Sequence, residues 1–572
     1  MEVEGGASAN DMFQNVDERF LPEPSHRPTL SFGAPWITYV RQRPTLNAAS
    51  QVLDSTVARL GADRTAIHDV TSGETWSYGR LQAFVNRLGN GLLSLGLRPG
   101  ERVLLRLPEV PQAAAAQLAV WKMGGIAAVT SVLERARELA FLLNDTEAGM
   151  LIVHGDYLEE VEKVRAECPH LRVVIVVGTA GPDYVQMASL VADASERLEP
   201  FPSHPLDGAS IFYTGGTTGH PKGCLHTHAG EVVLADLNNL ALAAGPDDVF
   251  FTHAPIGHAA GNSEKVNYPL RVGGSVIYAV RPTPGQVWEL AERYRATIFL
   301  GAATMFRMML REVPSPREAF PGLALRVAMS SAEVLDQRTF EAWRGKIGFE
   351  IDNVVGMVPF RHIFLHPRWN GVRVAPGLSV GAPLPGYDAK LVDPETLRPV
   401  LEAGQAGRMA LRGPTGITYW SNLNPTIREK AASDVRDGWS IGDDAYHFDE
   451  SGWFWFDTRL DDMIVTGGRQ IAGVEVETVL KQHDAVSEAA VVGAPDELRG
   501  SIVMAYVVLS PGHEPGPEIV EELQNYSKAE MAPYKYPRRI EFVEALPKDE
   551  YGKLQRRLLR ERAKHEASEK GP

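Results

Sequence analysis

The run SIFYTGGTTGHPKGCLHTH, from Ser210 to His228, constrains this chain more than any other part of it. A β-rich segment ends there in a loop of glycine, threonine and lysine before an amphipathic stretch resumes. Gly215, Gly216 and Gly219 allow close backbone approach to a ligand, Thr214, Thr217 and Thr218 offer hydroxyls, and Lys222 supplies a point charge. That is the composition of a phosphate cradle. It is not a Walker loop, because His220 and Pro221 separate Gly219 from Lys222, and the GxGxxG spacing of dinucleotide folds is missing. A glycine-rich turn with surface threonines is the bland alternative.

On either side of this loop, helix-period stretches alternate with short β-rich runs. LQAFVNRLGNGLLSLGL from Leu81 precedes RVLLRL at Arg102, and GMLIVHG, RVVIVVG, VFFTHAP, ATIFLGA and LRVAMSS follow as strands that end in small or polar residues. Such alternation predicts layered α/β sheets, whose ligands gather at the carboxyl ends of strands. From about Arg408 the texture turns β-rich, and near Asp461 a smaller α+β unit begins, with strands SEAAVVGAP and SIVMAYVVLS flanking the helix VEVETVLKQH. The charged tail after Arg556 reads as a solvated helix.

With 572 residues, several folding units are expected. A formal charge of −15 disfavours nucleic acid and anionic membranes as partners, so an anionic ligand must be captured by local cations. Cys168 and Cys224 lie far apart and outside any CxxC pair, which argues for a reducing, cytoplasmic setting rather than a disulfide or zinc framework. The first residues lack a signal-peptide pattern. The most apolar stretch, at Ala113, is broken by Lys122 and Gly124-Gly125, so it predicts a buried helix followed by a strand, with no membrane span.

The loop at Thr214, together with WSIGDDAYHFDESGWFWFDTRLDD, TGGRQIAGVEVE and LPKDEYGKLQRR, resembles the adenylate-forming (ANL) superfamily of acyl-CoA synthetases, adenylation domains and luciferases. The resemblance covers nearly the whole chain, and WSYGRLQAFVNRLGNGLLSLGLRPGERVLLRLPEV is closest in texture to aryl-CoA ligases of the benzoate-CoA ligase type. It implies a large α/β N-terminal domain over residues 1–458, a hinge at 459–462 and a small mobile α+β C-terminal domain over 463–572. It further implies that Asp443 holds the ribose hydroxyls, Arg459 adds a cationic contact, Asp461 is the hinge, and Lys553 meets the carboxylate and α-phosphate during adenylation. Ala332, Glu333, Val355 and Gly356 would face the nucleotide. Gly467 and Gly468 would line the pantetheine tunnel, and His258, in APIGHAAG, would gate it. As a lone histidine it could equally be a hydrogen-bonded core residue, and Glu333 could equally be a first-turn acid of a helix. Small residues at Gly257, Ala259, Gly261, Ala302 and Ala332, with Met357, suggest room for the acyl group.

One motif departs from the family. A Thr-Glu pair normally contacts phosphate and positions magnesium, but the corresponding run is NVVGMVPFRHIF, which puts Val358 and Pro359 at those places. Valine offers no hydroxyl, and proline offers neither a carboxylate nor an N–H. Magnesium would lose its usual anchor, so no metal ligand is expected here. Ile441, where a threonine is usual, is a milder departure.

Three functional readings follow from the resemblance. One is an acyl-CoA ligase with impaired adenylation, which converts the acyl-adenylate of a cyclic, aromatic or bulky acid into its CoA thioester. The others are a complete ATP-dependent synthetase and a noncatalytic nucleotide-binding homologue. CoA and the AMP moiety of an acyl-adenylate are the expected cofactors, with ATP and magnesium left open. The expected partners are the carboxylate or its adenylate, a separate adenylating enzyme in a specialised biosynthetic pathway, and a second copy of the chain in a homodimer.

Overall fold

Short runs rich in β-branched and other apolar residues, most of them four to seven residues long, form the strands of two largely parallel sheets. A computed structural model describes residues 6–7, 12–35, 37–214, 221–361, 363–420, 424–459, 462–466, 469–496, 500–531, 535–549, 552 and 554–569. Among them, the first sheet runs Lys222–Thr227, Gly208–Thr214, Ile126–Val129, Arg102–Arg106, Met150–His154, Val173–Val177 and Val185–Gln186. The second runs Asp352–Asn353, Val327–Ser330, Ile298–Gly301, Val249–Thr252, Ser275–Tyr278, Thr65–Asp69 and Thr75–Ser77. Pairing is parallel except for one edge strand in each, Lys222–Thr227 and Thr75–Ser77.

The helix Pro111–Lys122 is buried along its whole length, as its alanine-rich composition predicts, and leads into Ile126–Val129. Lys122 is tolerated there because its Nζ donates to Asp54 Oδ1 at 2.9 Å and Asn86 Oδ1 at 2.7 Å. Two expectations need correction. The segment after the glycine-rich loop is not amphipathic: Lys222–Thr227 is a strand, and the helix His228–Leu242 that follows is buried nearly all round, its polar His228, Glu231, Asn238 and Asn239 included. Nor is the tail simply solvated, since Leu559 and Ala563 of Arg556–Glu569 bury themselves against Ala490, Val492 and Met504.

A third sheet is antiparallel, with Asp388–Val392, Gly407–Arg412, Trp439–Phe448 and Phe454–Arg459 laid side by side. Beyond it, Val486–Asp496, Gly500–Leu509 and Arg539–Phe542 form the sheet of the smaller α+β unit, covered by Gly473–Leu480 and Pro517–Glu530. Both cysteines are free and buried. No helix among the described residues is long and apolar enough to cross a membrane.

The interior of the large domain holds an ion pair with no exposure on either side, Arg361 Nε to Glu231 Oε1 at 2.8 Å. Arg361 also donates to Ala259 O at 2.9 Å, Ser263 Oγ at 2.7 Å, Asn262 Oδ1 at 2.7 Å and Asn267 Oδ1 at 3.4 Å, so all five guanidinium N–H groups are used. Its carbon also lies 4.1 Å from the ring centre of Phe212. Removing one partner leaves an uncompensated buried charge. Arg361→Met or Glu231→Gln should therefore cost about 3–5 kcal/mol in denaturant unfolding, and Arg361→Met with Glu231→Met should cost less than the two single losses summed.

Candidate active site

Four of the parallel strands of the second sheet end on the same side, and the loops that leave them carry most of the residues singled out in the sequence. Val249–Thr252 leads to His258, Ile298–Gly301 to Ala302, Val327–Ser330 to Ala332 and Glu333, and Asp352–Asn353 to Val355 through Pro359. A cleft at the carboxyl ends of both sheets is lined by Glu109, Ser131, Tyr157, His253, Gly257 and Arg281, among others.

His258 is exposed and precedes the short helix Ala259–Asn262, whose Asn262 N–H donates to its carbonyl at 2.7 Å, so the core-histidine alternative does not hold. Gly257 and Gly261 do not leave the room expected of them. A Cβ at Gly257 would stand 2.6 Å from Thr130 O, and one at Gly261 would stand 2.2 Å from Pro255 O, so backbone already fills both spaces. Ala259 is buried and Ala302 half-buried.

The loop before His258 is fixed by a pair the sequence reading missed. Lys265 and Glu109, both buried, meet at 3.1 Å; Lys265 Nζ also donates to Ala254 O at 2.6 Å, and Glu109 Oε1 accepts from Ile256 N at 2.8 Å. Burial and the neighbouring Lys265 push His253 down to about 4, so this ring is neutral at physiological pH.

Glu333 is not a first-turn acid, because the next helix begins only at Gln337. Its Oε2 instead accepts from Thr304 N at 2.8 Å, at the start of Ala303–Glu312. Ala332 takes φ +70° and is exposed. Gly552, one residue before Lys553, comes to the same place: a Cβ on it would lie 3.6 Å from Thr304 Cγ2.

Val355–Gly356 pairs with Ile363–His366, and Val358–Phe360 makes one tight 3-10 turn, closed by Arg361 N to Val358 O at 2.8 Å. This turn packs against Gly208–Thr214 and Lys222–Thr227, the strands on either side of the glycine-rich loop. Met357, expected at the acyl pocket, lies against Gly442, whose added Cβ would be 3.0 Å from Met357 Cε. Ile441 sits in a small core with Val392 and Ala410.

Asp443 is half-buried on Trp439–Phe448, and two cations hold it. Lys430 Nζ reaches Oδ1 and Oδ2 at 2.7 Å each, and Arg408 Nη2 reaches Oδ1 at 3.3 Å. Neither cation stood out in the sequence, because both lie outside the glycine-rich and aspartate motifs. Thr214 and Lys222 face each other across the hairpin as its last pair. Gly215, Gly216, Thr217, Thr218, Gly219, Asp461, Gly467, Gly468 and Lys553 lie outside the described residues. The backbone of Arg459 pairs with that of Asp444 at the end of its strand.

The AMP-binding enzyme family matches residues 53–420, and the AMP-binding enzyme C-terminal domain matches residues 475–553. The chain is 33% identical to the benzoate–CoA ligase of Thauera aromatica, over 90% of this chain and 95% of that one. It is 30% identical to the 3-hydroxybenzoate–CoA ligase of an Aromatoleum strain, over 90% of this chain and 97% of that one. The crystal structure of the anthranilate CoA ligase AuaEII with anthranoyl-AMP superimposes with a TM-score of 0.83 at 31% identity, covering 92% of this chain and 99% of that one. The chain belongs to the AMP-binding enzyme family, in its acyl- and aryl-CoA ligase branch. It is an acid–thiol ligase that joins a carboxylate to CoA by way of an acyl-adenylate.

Glu264 lies in the π-helical turn Ser263–Asn267 next to this site, fully buried, and neither carboxylate oxygen has a partner among the described residues. Burial pushes its carboxyl up to about 8, so it is protonated at neutral pH. Because its folded value lies above its unfolded one, the fold prefers the neutral acid, and stability falls as pH rises from about 4.5 through about 8. Glu264→Gln should match the native protein in urea unfolding at pH 4.5 and exceed it at pH 8.5 by on the order of 4 kcal/mol.

Proposed function

We propose that this ligase acts on an aromatic or similarly cyclic and bulky carboxylate, and that its stronger half-reaction is thioester formation from an acyl-adenylate. The observation that carries the second statement is the position of Val358 and Pro359, in a tight turn packed against the strands that flank the phosphate loop. A turn at that place is well set to meet phosphate, yet these two side chains bring neither a hydroxyl nor a carboxylate. The donor set there does not suit magnesium, which needs one or two carboxylates beside phosphates and water. The acid class follows from relatives named for benzoate, 3-hydroxybenzoate and anthranilate.

In thioester formation the CoA sulfur attacks the acyl carbon, a C–S bond forms, and the C–O bond to AMP breaks. The thiol proton goes to solvent and AMP leaves as a stable anion. On this reading Asp443 accepts the ribose hydroxyls, with Arg459 beside it. Thr214 through Gly219, with Lys222, cradle the α-phosphate, and Ala332, Glu333, Val355 and Gly356 border the base. His258 stands at the thiol entrance, with Gly467 and Gly468 along the tunnel after rotation about Asp461. A separate adenylating enzyme would supply the substrate, both would work in the cytoplasm, and this one would work as a homodimer.

A second reading, the complete ATP-dependent synthetase, draws support from Gly552, the residue before Lys553 in sequence, which lies close to Thr304, whose N–H donates to Glu333. An adenylating lysine has no use in thioester formation alone.

Purified protein given benzoyl-AMP and CoA should form benzoyl-CoA, while benzoate and ATP should release little pyrophosphate. Robust acid-dependent pyrophosphate release would overturn the adenylation defect, and absence of thioester from a panel of aryl-adenylates would overturn the substrate class. Val358→Thr with Pro359→Glu should raise pyrophosphate release by about two decades, the scale of one restored transition-state contact.

A further inference from the structure

The carboxylate of Asp443 already has more donors than a ribose-binding group can keep. A carboxylate offers about four lone-pair sites. Lys430 Nζ takes one on each oxygen at 2.7 Å, and Arg408 Nη2 takes another on Oδ1 at 3.3 Å. One site is left, and a vicinal diol brings two O–H donors. One cation must therefore give way before both hydroxyls are accepted.

Arg408 has the longer contact with Asp443, but its Nε donates to Gly442 O at 3.0 Å, its Nη2 lies 3.7 Å from Asp434 Oδ1, and its planar head moves only as one piece. Lys430 has a flexible four-carbon stem and a second acceptor within reach. Asp434 Oδ1, one helical turn along Pro425–Asp434, lies 2.8 Å from Nζ, and this carboxylate is almost fully buried. Asp434 is held in turn by Tyr419 Oη at 2.7 Å and Ser433 Oγ at 2.9 Å. Burial works against the Lys430 ammonium, but Asp434 and Asp443 together keep it above the usual lysine range. A cation that leaves Asp443 is thus not stranded.

We propose that Lys430 competes with the ribose diol for Asp443: it caps the carboxylate in the free enzyme, withdraws onto Asp434 when the nucleotide binds, and returns as AMP departs. Lys430 thereby sets how tightly AMP is kept after the thioester has formed. The proposal rests on the reading of Asp443 as the ribose carboxylate.

Calorimetric titration of the full chain with AMP and with 2′,3′-dideoxy-AMP tests both statements separately, because the ratio of the two affinities isolates the diol. Lys430→Met should bind AMP at least about threefold more tightly and leave dideoxy-AMP unchanged, so that the ratio widens. Lys430→Met with Asp434→Asn, which removes the stranded buried charge yet keeps an acceptor for Tyr419, should widen the ratio in the same way and serves if the single variant does not fold. A ratio that narrows or stays constant in both variants overturns the proposal, since Lys430 would then merely hold Asp443 in place. Asp443→Asn should abolish the ratio in an otherwise native chain. If it does not, the ribose reading fails and the proposal with it; if it does while the Lys430 variants leave the ratio unmoved, the proposal alone fails.

Discussion

A fully buried guanidinium must have every N–H answered, and Arg361 has them answered by two other parts of the chain. Glu231 belongs to the helix that follows the glycine-rich hairpin, and Ala259, Asn262, Ser263 and Asn267 belong to the segment that begins at His258. Arg361 itself ends the turn that carries Val358 and Pro359. One ion pair with its surrounding hydrogen bonds therefore fixes the helix after the glycine-rich hairpin, the segment after His258 and the Val358–Pro359 turn relative to one another. Its φ of +71° is a backbone setting that a non-glycine residue adopts at some cost, and the dense hydrogen bonding around its head supplies the compensation.

The Val358–Pro359 turn is supported from several sides. It is closed by its own backbone bonds, Thr415 Oγ1 donates to Phe360 O at 3.0 Å, and the Phe360 ring lies 5.0 Å from that of Phe364. The Val-Pro pair therefore sits in a fully supported turn.

The sheets were legible because β-branched runs bounded by glycine carry a local signal, and nearly every strand named from the sequence occurs within a few residues of its expected place. The residues that follow the strand ends were legible for the same reason. What escaped was long-range. Glu109 and Lys265 are 156 positions apart, as Glu231 and Arg361 are 130 apart, and nothing local marks either member as half of a buried pair. Gly257 and Gly261 misled because a glycine that makes room for a ligand and one that makes room for backbone look alike in sequence. The tail helix misled through its charge, which hides the two small apolar positions, Leu559 and Ala563, that dock it.

A chain with a formal charge of −15 must draw an anionic nucleotide in through local cations, and it must also let AMP go. Cations fixed at the phosphate loop serve capture only. On the proposed reading of Asp443, a cation beside it acts in the opposite sense, because it competes for the acceptor that the sugar needs rather than for the charge that the phosphate brings. The pairing of Asp443 with Lys430, and of Lys430 with a buried Asp434, gives the site both properties at once: the approaching nucleotide meets a neutralised carboxylate instead of a repelling one, and the departing AMP is replaced by an ion pair that is already in place. Every turnover that ends in attack of the CoA thiol on an acyl-adenylate leaves AMP in the pocket, whichever enzyme made the adenylate, so the exchange serves release by either route.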